Sequence, residues 1–192
     1  MNELPETTTY ESGVETAFAR NRAFAGTAGH ERATMMPALR LLVVTCLDPR
    51  VDPAHVLGLD LGDAMVVRNG GGRVTPEVIN NVAFVGELAA RAVRQGPLFE
   101  VVVIHHTDCG SRALADDGFR RRYAELVGAR ESMLRDYAVA DPADTVAVDV
   151  SVLRSAPAIS ARIPISGHVY DVATGLVETV IPAHTTAQSR RA

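Results

Sequence analysis

The chain has 192 residues, of which 47% are hydrophobic and 22% charged, and its net charge is −4 at neutral pH. This length and composition predict one globular domain with a sizeable core. The mild acidity argues against a nucleic-acid-binding protein, and no apolar run approaches the roughly 20 residues that a membrane-spanning helix needs.

The first half of the sequence predicts helices and strands in alternation. After a loose segment at 1–11, residues 12–34 favour a helix, because apolar residues recur there at near-helical spacing. The elements that follow are a buried strand at 39–46, a short helix capped by Asp52, a strand at 64–67, the glycine loop Gly70-Gly71-Gly72, and a helix capped by Thr75 that Gly96-Pro97 ends.

The second half continues this alternation and contains one ambiguous segment. Valines alternate along residues 144–155 as in a strand, but Val146, Val150 and Leu153 also fit one helix face with Asp144 as its cap. The other elements are a strand at 99–105, a helical stretch at 112–136, a strand at 163–172, a hairpin turn at 171–175, a strand at 176–181 and a frayed tail at 185–192. We therefore predict an α/β fold, with a mostly parallel central sheet flanked by helices and a C-terminal hairpin.

Each of the two cysteines lies just past a run of β-branched residues. Cys46 ends the first predicted strand, and the third strand leads into the cluster of His105, His106 and Cys109. Ligands of parallel sheets bind outside the carboxyl ends of the strands, so the topology brings the two clusters together. Cys46, His106 and Cys109 form a soft donor set that suits zinc, with a fourth position open to water or to Asp48. His105 points to the other side of its strand, and we expect a structural, hydrogen-bonded role for it.

Asp48 and Arg50 lie two and four residues beyond Cys46 and could share its site. Asp48 could close the site as a fourth ligand, or it could pair with Arg50 and accept a hydrogen bond from water bound at the metal. We predict the Asp48–Arg50 pair, because a guanidinium holds a carboxylate through two parallel hydrogen bonds. The glycine loop matches no nucleotide-binding motif, and we interpret it as a close approach of two backbone segments.

These motifs resemble those of a known family. Cys46-Leu47-Asp48-Pro49-Arg50 is similar to the Cys-x-Asp-x-Arg motif of the β-class carbonic anhydrases, and His106-Thr107-Asp108-Cys109 is similar to their His-x-x-Cys motif. The resemblance covers roughly residues 39–180, in family order. Departures lie near the expected pocket: Gly70 replaces the usual Ala, and Ser111 stands where many members carry Met.

The resemblance implies zinc as the cofactor, with Cys46, His106 and Cys109 as its ligands and with Asp48 and Arg50 as the catalytic pair. It also favours a helix over a strand for residues 144–155. It implies a homodimer or a higher even oligomer, in which residues 1–38 form an N-terminal helical arm that wraps the partner. Residues 39–184 would then form the zinc domain, and residues 185–192 a flexible tail.

The activity that the resemblance implies is the reversible hydration of CO2 to bicarbonate and a proton, in which zinc converts a bound water to hydroxide near neutral pH. The alternative is a hydrolase of carbonyl sulfide or carbon disulfide with the same nucleophile. A third hypothesis is a noncatalytic zinc module that Asp48 closes.

Two cysteines form no disulfide framework, and the polar start carries no signal sequence, so we expect a cytoplasmic enzyme that binds a small molecule and neither nucleic acid nor membrane.

Overall fold

A computed structural model describes residues 12–184, so the predicted loose segment at 1–11 and the predicted tail at 185–192 lie outside the described residues. The chain divides into two compact units, with the boundary between Thr34 and Met35. The first unit contains helix α1 (Gly13–Gly26) and a 3-10 turn at Gly29–Arg32. Ser12 caps α1 by accepting a hydrogen bond from the N–H of Val14. The helix predicted within residues 12–34 is therefore confirmed, but it ends eight residues earlier.

The second unit is a five-stranded sheet with helices in the order that the alternating pattern predicts. Its strands are β1 (Leu41–Cys46), β2 (Ala64–Asn69), β3 (Glu100–His106), β4 (Ile165–Tyr170) and β5 (Val177–His184). Its helices are α2 (Pro53–Val56), α3 (Pro76–Ala92), α4 (Asp117–Val127), α5 (Glu131–Asp136) and α6 (Pro142–Ser155). The strand order is β2-β1-β3-β4-β5, in which only β5 runs antiparallel. The predicted mostly parallel α/β fold with a C-terminal hairpin is confirmed.

The main core lies between the sheet and the helices α3 and α6. Val78 and Val82 of α3 and Val146 and Val150 of α6 are at most 1% exposed and belong to one cluster with apolar residues of β1 and β3. Each such side chain contributes about 1.5–3 kcal/mol when it leaves water. Gly167 of β4 permits the close approach of α6, because a Cβ there would lie 2.8 Å from a methyl group of Val150.

The ambiguous segment at 144–155 belongs to helix α6, as the family resemblance favours. Its N-cap is Asp141, whose Oδ1 accepts the backbone N–H groups of Ala143 and Asp144. The predicted cap, Asp144, was wrong. Asp144 lies instead in the first turn, where a negative charge interacts favourably with the helix dipole.

The helical stretch predicted at 112–136 is divided into three pieces. A 3-10 turn at Gly110–Ala115 leads into α4, which Asp116 caps by accepting the N–H of Phe119 at 2.7 Å. Gly128 ends α4 in a left-handed conformation (φ 66°), and α5 follows. Glycine adopts this conformation at little cost, so it ends the helix. Among residues 12–184, no helix combines the length and hydrophobicity that crossing a bilayer requires.

Candidate metal centre

The sheet register brings the two cysteine clusters together. Strands β1 and β3 are parallel neighbours, with Thr45 opposite Ile104, so Cys46 and His106 lie at adjacent strand ends. Cys109 follows in the turn after β3. The ligand atoms of these three buried side chains lie within 4.8 Å of one another, and the two Sγ atoms are 3.9 Å apart. Tetrahedral zinc with Zn–S bonds of about 2.3 Å requires sulfurs about 3.8 Å apart, so the donor set fits zinc.

The imidazole of His106 has one nitrogen available for a metal. Its Nδ1 lies 2.9 Å from the carbonyl oxygen of Thr107, which can only accept, so Nδ1 carries the proton. Its Nε2 is buried and has no hydrogen-bond partner among residues 12–184. Buried polar atoms rarely lack a hydrogen-bond partner. A histidine that binds a metal through one nitrogen characteristically donates the N–H of the other nitrogen to a carbonyl or carboxylate. Nε2 therefore has the chemistry of a metal ligand.

The two thiols ionise unequally. A hydrogen bond from Cys46 lowers the pKa of Cys109 to about 6, and the hydroxyl of Ser111 acts in the same direction. The same bond to Cys109 raises the pKa of Cys46 to about 12, and burial adds to this effect. The pair thus gives up one proton readily and holds the other. A divalent cation favours the doubly ionised pair by its charge, so binding releases protons.

Asp48 and Arg50 form the predicted pair. The guanidinium of Arg50 donates from Nε to Oδ1 of Asp48 at 3.0 Å and from Nη2 to Oδ2 at 2.7 Å. These bonds lower the pKa of Asp48 to about 2. Asp48 is therefore ionised at neutral pH and can accept a hydrogen bond from a group at the metal position.

Arg50 also contacts the second ligand segment. Its Nη1 donates to Oδ2 of Asp108 at 2.8 Å, and its Nη2 donates to the backbone carbonyl of Asp108 at 2.9 Å. Asp108 has a left-handed backbone (φ 54°), a conformation that aspartate tolerates better than most residues. Arg50 thereby joins the loop after β1 to the loop after β3. The sequence did not predict this contact, because both residues lie in loops, where no periodicity indicates a distant partner.

A buried polar network supports the glycine loop beside the site. Asp149 of α6 accepts hydrogen bonds from Arg73, from the backbone N–H of Val74 and from Nε2 of His105. The structural role predicted for His105 is confirmed. Gly72 lies against β1, since a Cβ there would be 2.8 Å from the carbonyl carbon of Thr45, and the predicted close backbone approach is confirmed too. The Arg73–Asp149 pair was not predicted.

An open cavity of about 460 Å³ lies beside the cysteines. Cys46 and Asp48 line it, and most of the remaining wall is apolar, including Leu114, Phe119 and Tyr123. Such a wall suits a small uncharged molecule. The structure thus brings together Cys46, Asp48, Arg50, His106 and Cys109, which are all the site residues that the sequence predicted.

Comparison with known proteins agrees with this geometry. The family model for carbonic anhydrase matches residues 41–177. The β-carbonic anhydrase 1 of Mycobacterium tuberculosis is 31% identical over 148 residues, which cover 77% of this chain and 86% of the relative. A carbon disulfide hydrolase of an Acidianus strain is 27% identical over 158 residues, 70% of this chain and 74% of the relative.

A solved structure of carbonic anhydrase from Streptococcus mutans superposes on this chain with a TM-score of 0.74 at 32% identity, covering 90% of this chain and 99% of that one. The family match spans more than half of the chain and includes both cysteine motifs. The chain therefore belongs to the β-carbonic anhydrase family.

Proposed function

We propose that this protein is a zinc-dependent enzyme that hydrates CO2 reversibly to bicarbonate and a proton. The observation that carries the proposal is the convergence of Cys46, His106 and Cys109 next to the ionised Asp48–Arg50 pair, at the wall of an apolar cavity. Three protein ligands leave one coordination position open, which distinguishes a catalytic zinc site from a structural one. A zinc ion in this site would supply the nucleophile by lowering the pKa of a water molecule.

The protein's own residues perform the remaining tasks. Asp48 accepts a hydrogen bond from the attacking oxygen and orients its lone pair toward the substrate carbon. Arg50 keeps Asp48 ionised, and Asp108 holds Arg50 in turn. The apolar side chains Leu114, Phe119 and Tyr123 accommodate a neutral substrate that offers few polar atoms.

The second candidate is hydrolysis of carbon disulfide or carbonyl sulfide by the same nucleophile. It is supported by the similarity to the carbon disulfide hydrolase of Acidianus. These substrates are also small, linear and uncharged, so the apolar wall admits them equally well. The two candidates differ in substrate and not in the residues that act.

A paired assay on one zinc-loaded preparation tests both candidates. We expect about one zinc per chain, rapid CO2 hydration in a stopped-flow pH-indicator assay, and slower release of hydrogen sulfide from carbonyl sulfide and carbon disulfide. The reverse ranking would assign the chain to the second candidate. Stoichiometric zinc without turnover of any of the three substrates would contradict both and favour a noncatalytic zinc module.

The substitution Asp48→Ala tests the role of the pair. We expect the variant to retain zinc, because no ligand is lost, but to lose about 10²–10³-fold in kcat, as is typical when an orienting polar group is removed. Zinc content and stopped-flow kinetics measure the two effects. Asp141→Asn is a matched control, because asparagine also caps helices well and Asp141 lies at the start of α6. Undiminished turnover by Asp48→Ala would contradict the assigned role.

We also propose an even-numbered homo-oligomer in the cytoplasm, with residues 1–38 as an arm on the partner. Strand β2 forms an edge of the sheet and carries Val66, which is 44% exposed. A second cavity, of about 400 Å³ and mostly apolar, is lined by Met36, Phe84 and Leu88. An unpaired edge strand with exposed apolar residues, next to an apolar cavity, favours association with another chain.

A further inference from the structure

The two sulfur atoms of the candidate metal centre have different hydrogen-bond donors. Cys46 Sγ receives the backbone N–H of Asp48 at 3.5 Å. Cys109 Sγ lies 3.1 Å from the hydroxyl oxygen of Ser111, which is half-buried in the 3-10 turn that follows Cys109. The hydroxyl is the closer donor of the two, and it is the one that a side chain provides. Cys109 is therefore the thiolate whose charge a side chain of this protein can adjust.

The glycine loop leaves room for this hydroxyl. Gly71 has a positive φ of 82°, and a Cβ at this position would lie 2.9 Å from Ser111 Oγ. A side chain there would push the serine away from the sulfur. The Arg73–Asp149 ion pair supports the glycine loop at its C-terminal end. The conformation of this loop thus permits the contact between Ser111 and Cys109.

We propose that Ser111 is a positioning residue whose hydroxyl donates a hydrogen bond to the Cys109 thiolate and so controls how much charge this sulfur gives to the metal ion. The inference rests on the metal centre of the proposed function. A donated hydrogen bond stabilises the lone pairs of the sulfur. The thiolate then transfers less charge to the ion, which remains a stronger Lewis acid. Groups that contact metal ligands in this way commonly alter metal affinity about 10–100-fold.

Absorption spectroscopy of the cobalt-substituted protein tests the hydrogen bond between Ser111 and Cys109 without an activity assay. Co²⁺ accepts the same donor set as zinc and shows an absorption band for charge transfer from thiolate to metal. We expect Ser111→Ala to shift this band to longer wavelength, because the sulfur lone pairs rise in energy without the donor. We also expect zinc affinity, measured by chelator competition, to fall about 10-fold, because the hydrogen bond that orients the ligand sulfur is lost. Ser111→Thr retains the hydroxyl and should restore both values, and Ser151→Ala, an exposed site on α6, should change neither.

The outcomes separate this inference from the proposed function. A Ser111→Ala band at the wild-type wavelength would overturn the inference, as would a Ser111→Thr variant that behaves like Ser111→Ala. Failure of the wild-type chain to bind cobalt would contradict the metal centre itself and the inference with it. A band shift in Ser111→Ala together with a wild-type enzyme that turns over no substrate would support the inference and contradict only the proposed function.

Discussion

Replacing Cys46 by serine should abolish stoichiometric zinc binding and all turnover. Serine has nearly the same shape, but its hydroxyl does not ionise near neutral pH, so the site loses one of its two thiolates. Loss of a group that only supports a ligand costs about 10–100-fold in metal affinity, and loss of a ligand should cost more. Metal analysis after dialysis, with the stopped-flow assay, measures the result. A Cys46→Ser variant that still holds one zinc per chain would refute the ligand assignment.

A pair of histidine substitutions provides the matched control. His106→Asn should lose zinc in the same way, because it removes Nε2, the nitrogen assigned to the metal. His168→Asn should retain zinc, because His168 lies on the neighbouring strand β4 and its ring bonds to the hydroxyls of Ser166 and Thr179. Equal zinc content in the two variants would contradict the proposed set of ligands.

Replacing Asp149 by alanine should lower the free energy of unfolding by about 3–5 kcal/mol, which is typical when one partner of a buried ion pair is removed. Arg73, only 7% exposed, would lose its carboxylate partner, and the N–H groups of Val74 and His105 would lose their acceptor. Unfolding in urea, followed by circular dichroism, measures the change. Glu87→Ala removes an exposed ion pair on α3 and should leave the free energy of unfolding unchanged.

The contribution of Asp149 should also depend on pH in a defined direction. Burial opposes its ionisation, but hydrogen bonds from His105 and Arg73 hold the pKa of Asp149 below its ordinary value. A depressed folded-state pKa means that the stabilisation is complete above the unfolded pKa of about 3.9 and is lost as the pH falls through the folded pKa. The difference in stability between wild type and Asp149→Asn should therefore shrink below about pH 4. A difference that grows on acidification would contradict this role.

The sequence was sufficient to predict which side chains converge at this edge of the sheet, because each lies next to a strand that its apolar run makes recognisable. Parallel strands then place their carboxyl ends at one edge of the sheet, so no further information was needed to bring Cys46 and His106 together. The contacts that hold these residues in place were not predictable. Arg50 and Asp108, like Arg73 and Asp149, are far apart in the chain, and a polar residue in a loop has no periodicity that indicates its distant partner.

Two errors in the predicted helix boundaries could have been avoided, because the sequence contains residues that mark the start of α6 and the end of α4. The cap of α6 is the Asp141 of an Asp-Pro pair, the same arrangement as Asp52-Pro53 at α2, and proline at the first helical position indicates that the cap directly precedes it. Gly128 similarly indicated the end of α4 within the predicted stretch at 112–136. The same Asp141-Pro142 signal favoured a helix over a strand at 144–155, whose valines alone satisfy both periods.

The bridging position of Arg50 bears on how the protein would take up the proposed metal ion. Small zinc modules assemble their donor atoms only as the chain orders around the metal, so uptake and folding are a single event. Here one guanidinium already links the loop after β1, which ends in Cys46, to the loop after β3, which ends in His106 and is followed by Cys109. Metal uptake would then require the departure of thiol protons and no rearrangement of the two ligand segments, so the apoprotein and a metal-loaded form should share one backbone conformation.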